Sequence, residues 1–174
     1  MTEGAELILG GVRSGKSAYA ERQAQASGQT VHLIATATAG DEEMATRIAA
    51  HRERRPAQWT THEVPLQLAD ALSTWATPAR CLLVDCLGLW LSNLLHAGEA
   101  VFTTERQALL DILPTLSGRV LLVSNEVGWG LVPTNALARR FADELGWLNQ
   151  AVAARCRRVV LLAAGLPLTL KETP

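Results

Sequence analysis

Glu6-Leu7-Ile8-Leu9 runs without a break into Gly10-Gly11-Val12-Arg13-Ser14-Gly15-Lys16-Ser17. A chain with that junction has few ways to fold other than as strand, phosphate-binding loop and helix. The octet satisfies G-x-x-x-x-G-K-[ST] at every fixed position. Its glycines free the backbone to turn N–H groups inward around a phosphate. The segment from Lys16 to Ala26 has a helical pattern, and its first unpaired N–H groups would face the same anion. Lys16 is placed to reach the β- and γ-phosphates, and the Ser17 hydroxyl to ligate Mg²⁺. The plain alternative is a glycine turn followed by a chance Lys-Ser. The matching context on both sides weighs against it.

The rest of the chain repeats the strand-then-helix alternation. Strands are predicted at 31–35, 59–64 (weaker, an edge), 81–85, 119–124 and 158–163, the last of the series. Helices are predicted at 41–55, 66–75, 87–96, 104–113 and 135–156, with Pro56 and Pro114 as stops. Uniformly apolar strands such as Val120-Leu121-Leu122-Val123 suit a sheet covered on both faces. The expectation is an α/β fold with a mainly parallel sheet flanked by helices, in one domain spanning 1–174.

Asp85 ends the apolar strand Cys81-Leu82-Leu83-Val84, where open α/β sheets form their ligand crevice. It is the natural second acid for Mg²⁺, with a helix cap for Leu87 onward as the plainer role. Glu126 also follows an apolar strand, and a catalytic base and a loop anchor fit it equally. On the predicted helix 41–55, Met44, Ile48 and His51 share one face. Arg47 and Arg55 flank His51 at i−4 and i+4, and Arg54 lies at i+3. Surrounding cations disfavour protonation and would leave a neutral nucleophile near pH 7. On these residues alone, a core-edge histidine on a solvated basic helix is the stronger reading. His32, His62 and His96 lack such a setting and are read as structural.

Composition removes other classes. Formal net charge is −1, with 48% hydrophobic and 19% charged residues, so no global field favours nucleic acid or an anionic membrane. No apolar run is long enough to span a bilayer, and the acidic opening Met1-Thr2-Glu3 is wrong for a targeting signal. Three cysteines, Cys81, Cys86 and Cys156, form no C-x-x-C pair, which suits reduced thiols in the cytoplasm.

An ordered set of motifs resembles the bifunctional adenosylcobinamide kinase/adenosylcobinamide-phosphate guanylyltransferase family of cobalamin biosynthesis. It comprises the Gly-Gly-x-Arg-Ser-Gly-Lys-Ser loop, Ile34-Ala35-Thr36, Asp41-Glu42-Glu43-Met44, Arg47-Ile48, His51, Arg55-Pro56, Trp59 and Glu63. Val84-Asp85-Cys86-Leu87, Leu89-Trp90-Leu91, Asn93-Leu94 and the specific stretch Ser124 to Pro133 follow, then Asn135, Leu137-Ala138-Arg139, Phe141, Asp143, Gly146 and Asn149-Gln150. The resemblance implies a recombinase-like P-loop core and two reactions. ATP or GTP phosphorylates adenosylcobinamide, and GTP then donates GMP through a covalent histidine. It places that histidine at His51. It places nucleotide contacts at the octet Gly10, Gly11, Val12, Arg13, Ser14, Gly15, Lys16 and Ser17, at Ala35, Thr36 and Ala37, at Arg52, Glu53, Arg54 and Arg55, and at Glu63 and Asp85. Several members carry two adjacent histidines and a lysine where this chain has Ala50-His51-Arg52, which leaves His51 alone in the register. The family also implies a corrinoid substrate and a homo-oligomer, a ring-like trimer. A P-loop kinase without guanylyl transfer, or a GTP-gated binding module, would share the loop but form no GMP adduct.

Overall fold

The computed structural model describes residues 4–38, 42 and 56–173. Its strands are β1 (Gly4–Gly10), β2 (Thr30–Ala35), β3 (Thr60–Glu63), β4 (Arg80–Asp85), β5 (Arg119–Asn125), β6 (Arg158–Ala163) and β7 (Leu166–Glu172). Its helices are numbered here α1 (Lys16–Ala26), α2 (Leu68–Trp75), α3 (Leu87–Ala97), α4 (Glu99–Ile112) and α5 (Ala136–Arg155). The strands form one sheet in the order β3-β2-β4-β5-β1-β6-β7. Every neighbouring pair is parallel except β6 with β7. The expected α/β architecture is therefore present, with β3 at an edge as its weaker signal implied.

The central strands read as apolar throughout because both their faces are buried. Successive strand side chains point to opposite faces. Ala5, Leu7 and Leu9 of β1 join one core with Leu82, Val84, Val120, Leu122, Val159 and Leu161. Ile8 joins the other with Cys81, Leu83, Leu121, Val123, Val160 and Leu162. Residues of α2 to α5 cover the first face, among them Leu72, Trp90, Leu109 and Leu148. Tyr19, Ala20 and Ala24 of α1 cover the second.

Two sequence expectations change. Arg158–Ala163 is not the last strand, since β7 returns antiparallel beside it along the sheet edge. The helix expected at 104–113 begins at Glu99, and a 3₁₀ turn at Leu113–Thr115 follows it, with Pro114 inside that turn. The predicted helix 41–55, apart from Glu42, lies outside the described residues.

Parallel register is what assembles the site. It aligns Glu63 with Ala35, Ala35 with Asp85, Asp85 with Val123, and Gly10 with both Asn125 and Leu162. The carboxyl ends of these strands thus share one rim, with β5 lying between the strand of the glycine loop and the strand of Asp85. Ligands of open α/β sheets bind along that rim.

Candidate active site

The loop from Gly10 to Gly15 turns back on itself at the rim. Ser14 N–H donates to the Gly11 carbonyl at 3.3 Å. Arg13 and Gly15 have φ of 57° and 94°, in the left-handed region. Gly15 caps α1, and the N–H of Tyr19 donates to its carbonyl at 2.9 Å. Two of the motif's glycines are required by space. A Cβ on Gly10 would collide with the Ser14 hydroxyl and lie 2.9 Å from the Leu162 carbonyl oxygen. A Cβ on Gly15 would lie 3.1 Å from Gly165 Cα. Lys16 Nζ donates to the Gly11 carbonyl at 3.1 Å, which holds the ammonium across the loop. Ser14 Oγ is buried with no hydrogen-bonding partner among the described residues. Ser17 follows in the first turn of α1, half-buried.

Beside the loop, β2 and β4 deliver Thr36 and Asp85. Thr36 is fully buried. Its N–H donates to the Asp85 carbonyl at 3.3 Å. Its hydroxyl donates to the Cys86 carbonyl at 2.7 Å and accepts from the Cys86 N–H at 3.0 Å. The Asp85–Cys86 peptide is cis. Cys86, not Asp85, occupies the N-cap position of α3, so the helix-cap role considered for Asp85 does not hold. The Cys86 thiol is pushed up to about 11, by burial first and the Asp85 carboxylate second, with Lys16 among the opposing influences. A thiol so raised is no nucleophile near neutrality; the carboxylate and ammonium that act on it are both close by.

Asn93 of α3 joins two loops of this rim, those that follow β2 and β3. Its Nδ2 donates to the Thr36 carbonyl at 2.8 Å and the Pro65 carbonyl at 3.1 Å. Its Oδ1 accepts from the Thr38 hydroxyl at 3.3 Å. A second amide, Asn149 of α5, accepts from Ser124 Oγ at 2.6 Å and donates to the Asn125 carbonyl at 3.0 Å. Sequence reasoning gave neither asparagine a role. The available signal was a lone amide on the apolar face of each helix, which burial obliges to find partners. Glu126 proves to anchor its loop. Its N–H donates to the Gly10 carbonyl at 3.0 Å, and its Oε1 accepts from Gly128 N–H at 2.9 Å.

The structure therefore gathers the octet, Ala35, Thr36, Ala37, Glu63 and Asp85 at one end of the sheet. His51 and Arg52, Glu53, Arg54 and Arg55 lie outside the described residues. Among the described residues no group of three or more His, Cys, Asp or Glu side chains could hold a metal. Ser17 and Asp85, the residues expected to bind Mg²⁺, carry a hydroxyl and a carboxylate, hard oxygen groups of the kind that ion takes while keeping several waters. No helix among the described residues is long and apolar enough to cross a membrane.

The described site finds counterparts among known proteins. Residues 6–170 match the family model described as cobinamide kinase/cobinamide phosphate guanyltransferase. The bifunctional adenosylcobalamin biosynthesis protein CobP of Pseudomonas aeruginosa is 58% identical over 170 residues, covering 97% of this chain and 98% of that protein. The bifunctional adenosylcobalamin biosynthesis protein CobU of Escherichia coli is 36% identical over 179 residues, covering 95% and 98%. A solved protein from Pyrococcus horikoshii superposes with a TM-score of 0.57 over 99% of this chain and 88% of its own, at 10% identity, a likeness of fold alone. With its family match running almost end to end, this chain belongs to the cobinamide kinase/cobinamide phosphate guanyltransferase family.

Proposed function

We propose that this chain, as one domain spanning 1–174, phosphorylates the hydroxyl of adenosylcobinamide with ATP or GTP. It then transfers GMP from GTP to the product, releasing pyrophosphate and forming adenosylcobinamide-GDP. The observation that carries the reading is the complete phosphate cradle, with a buried Ser14 hydroxyl that has no partner among the described residues and a Lys16 ammonium held on the Gly11 carbonyl. Buried polar atoms without partners call for explanation, and a phosphate oxygen supplies one here. Loop N–H groups and Lys16 bind the β- and γ-phosphates, and Ser17 and Asp85 hold Mg²⁺, which neutralises phosphate charge when bound. Ala35, Thr36, Ala37, Glu63 and Arg52 to Arg55 contribute further nucleotide contacts. In the second reaction an imidazole nitrogen of His51 attacks the α-phosphorus of GTP. The P–N bond forms as the α–β P–O bond breaks, and Lys16 stabilises the departing pyrophosphate. The corrinoid phosphate then attacks the same phosphorus and frees the histidine. The enzyme works in the cytoplasm as a homo-oligomer, a trimer.

Intact mass after incubation with GTP and Mg²⁺ tests this directly. The expected result is a gain of one guanylyl group, lost in acid and retained in alkali as befits a phosphoramidate, mapping to His51 and absent from His51→Ala. Label at another residue, or label persisting in His51→Ala, removes the assignment. Phosphorylation of adenosylcobinamide with no adduct marks a plain kinase or direct displacement. Nucleotide binding with no transfer marks a GTP-gated module. Light scattering measures the assembly.

A further inference from the structure

The segment joining β5 to α5 is built firmly yet leaves its apolar side chains bare. Its start is tied to the phosphate cradle by Glu126 N–H on the Gly10 carbonyl, and Glu126 Oε1 holds the turn at Gly128. At its far end Arg139 Nη1 donates to the Pro133 and Thr134 carbonyls at 2.9 and 2.6 Å, and Asn135 caps α5 through the N–H groups of Leu137 and Ala138. Between these anchors Trp129 is 76%, Leu131 98% and Val132 79% exposed. Residues 127–134 include no ionisable side chain. An apolar row held in place beside the phosphate loop is a surface suited to a specific partner.

We infer that this loop is the platform for the corrin macrocycle of the acceptor, with Trp129 and Leu131 against its methyl-bearing face. The inference rests on the reading of the enzyme as a cobinamide kinase. Such an acceptor presents its hydroxyl on a flexible arm of a broad, rigid ring. The hydroxyl must reach the γ-phosphate at the glycine loop, and the ring at the other end of that arm must be held beside it. Residues 127–134 begin one residue after the backbone that touches Gly10, so they are continuous with that loop. Their uncharged character matches the methyl groups and neutral amides of the corrin periphery. The platform positions substrate, so its contribution is uniform binding rather than chemistry. An edge strand with exposed Leu166, Leu168 and Leu170, β7, offers a second copy of the chain a separate apolar surface.

The test compares the unsubstituted enzyme with Trp129→Ser/Leu131→Ser and Trp129→Phe. Equilibrium dialysis with adenosylcobinamide, calorimetry with GTP and steady-state kinetics are run on each, with sedimentation velocity alongside. The double variant is expected to raise the corrinoid Kd and KM by about tenfold or more, leaving the GTP Kd and the saturated kcat within about twofold. Trp129→Phe should recover most of the affinity, since it keeps an aromatic face. Unchanged corrinoid affinity in the double variant overturns the platform, and if sedimentation shifts instead, the loop is a contact between copies. An unsubstituted enzyme that binds GTP but not adenosylcobinamide overturns the substrate reading, and the platform with it.

Discussion

Lys16, just after β1, and Asp85, the last residue of β4, lie at the same end of the sheet and carry opposite charges. Lys16 is half-buried, with its ammonium on a loop carbonyl rather than in a packed ion pair. Lys16→Ala should therefore leave the fold intact and weaken GTP binding by about ten- to a hundredfold, the range for losing a charged hydrogen bond. Calorimetry and circular dichroism on one sample decide it, and unchanged affinity would show that the loop binds no triphosphate. Asp85→Asn should reduce Mg²⁺-dependent turnover about ten- to a hundredfold and raise the Mg²⁺ concentration required, because an amide is a poor partner for a hard cation. Activity titrated against Mg²⁺ checks this; a wild-type profile would leave Asp85 a purely structural residue. Both residues were legible in the sequence, since a fixed spacing marks Lys16 and a strand end marks Asp85. The Ser14 hydroxyl, without a partner among the described residues, was not, because its burial comes from packing against the open space of Gly10. The same holds for Asn93, whose partners Thr36, Thr38 and Pro65 are far from it in sequence.

At the scale of elements, most of the sheet was readable, as strands buried on both faces announce themselves by composition. β7 escaped because nearly every residue in it is exposed and Pro167 interrupts the pattern. An edge strand tolerates both conditions. Yet this hairpin bears on the cradle, since Gly165 N–H donates to the Ser14 carbonyl at 2.9 Å and its Cα abuts the space Gly15 leaves open. Gly165 has φ of 79°, and Ala164 before it 52°. Gly165→Val is expected to cost about 1–2 kcal/mol, the penalty for a side chain forced left-handed, and to weaken GTP binding as the turn withdraws. Gly165→Asn, better tolerated in that region, should retain both stability and affinity. Thermal melts with and without GTP distinguish the pair. Equal behaviour of the two variants would mean that the turn's backbone conformation has no bearing on the loop.

Across the whole molecule, stability should depend on pH through a contact far from the glycine loop. His32 of β2 and His62 of edge strand β3 share a hydrogen bond, Nδ1 to Nε2 at 2.9 Å, and His62 stacks on Trp75 with ring centroids 3.6 Å apart. Such a bond needs one nitrogen as donor and the other as acceptor, so protonating both rings destroys it. Both histidines are held below their ordinary range, by burial first and then by the Arg80 guanidinium. The unfolded chain takes up these protons near pH 6.5, the folded chain only at lower pH. Between those values the unfolded state binds more protons. The stabilisation is thus complete above about pH 6.5 and is lost as pH falls through the lowered folded values. Glu6 opposes this on the acid side. Burial raises its pKa above 4.5 against the pull of Arg158 and Arg119, so its own contribution is lost as pH rises through the raised value. His62→Gln keeps an amide able to bond His32 but removes one titrating ring. At pH 7.5 it should cost no more than about 1 kcal/mol, or about 2–4 °C in a chain of this size. From pH 7.5 to 5.5 its melting temperature should fall less than that of the unsubstituted protein. Titration of Glu6 is common to both proteins, so the difference isolates the pair. Parallel declines would show that the bonded histidines contribute no pH dependence. A smaller decline would assign part of the acid sensitivity to the contact between β2 and β3, the strand that carries Glu63 to the rim of the site.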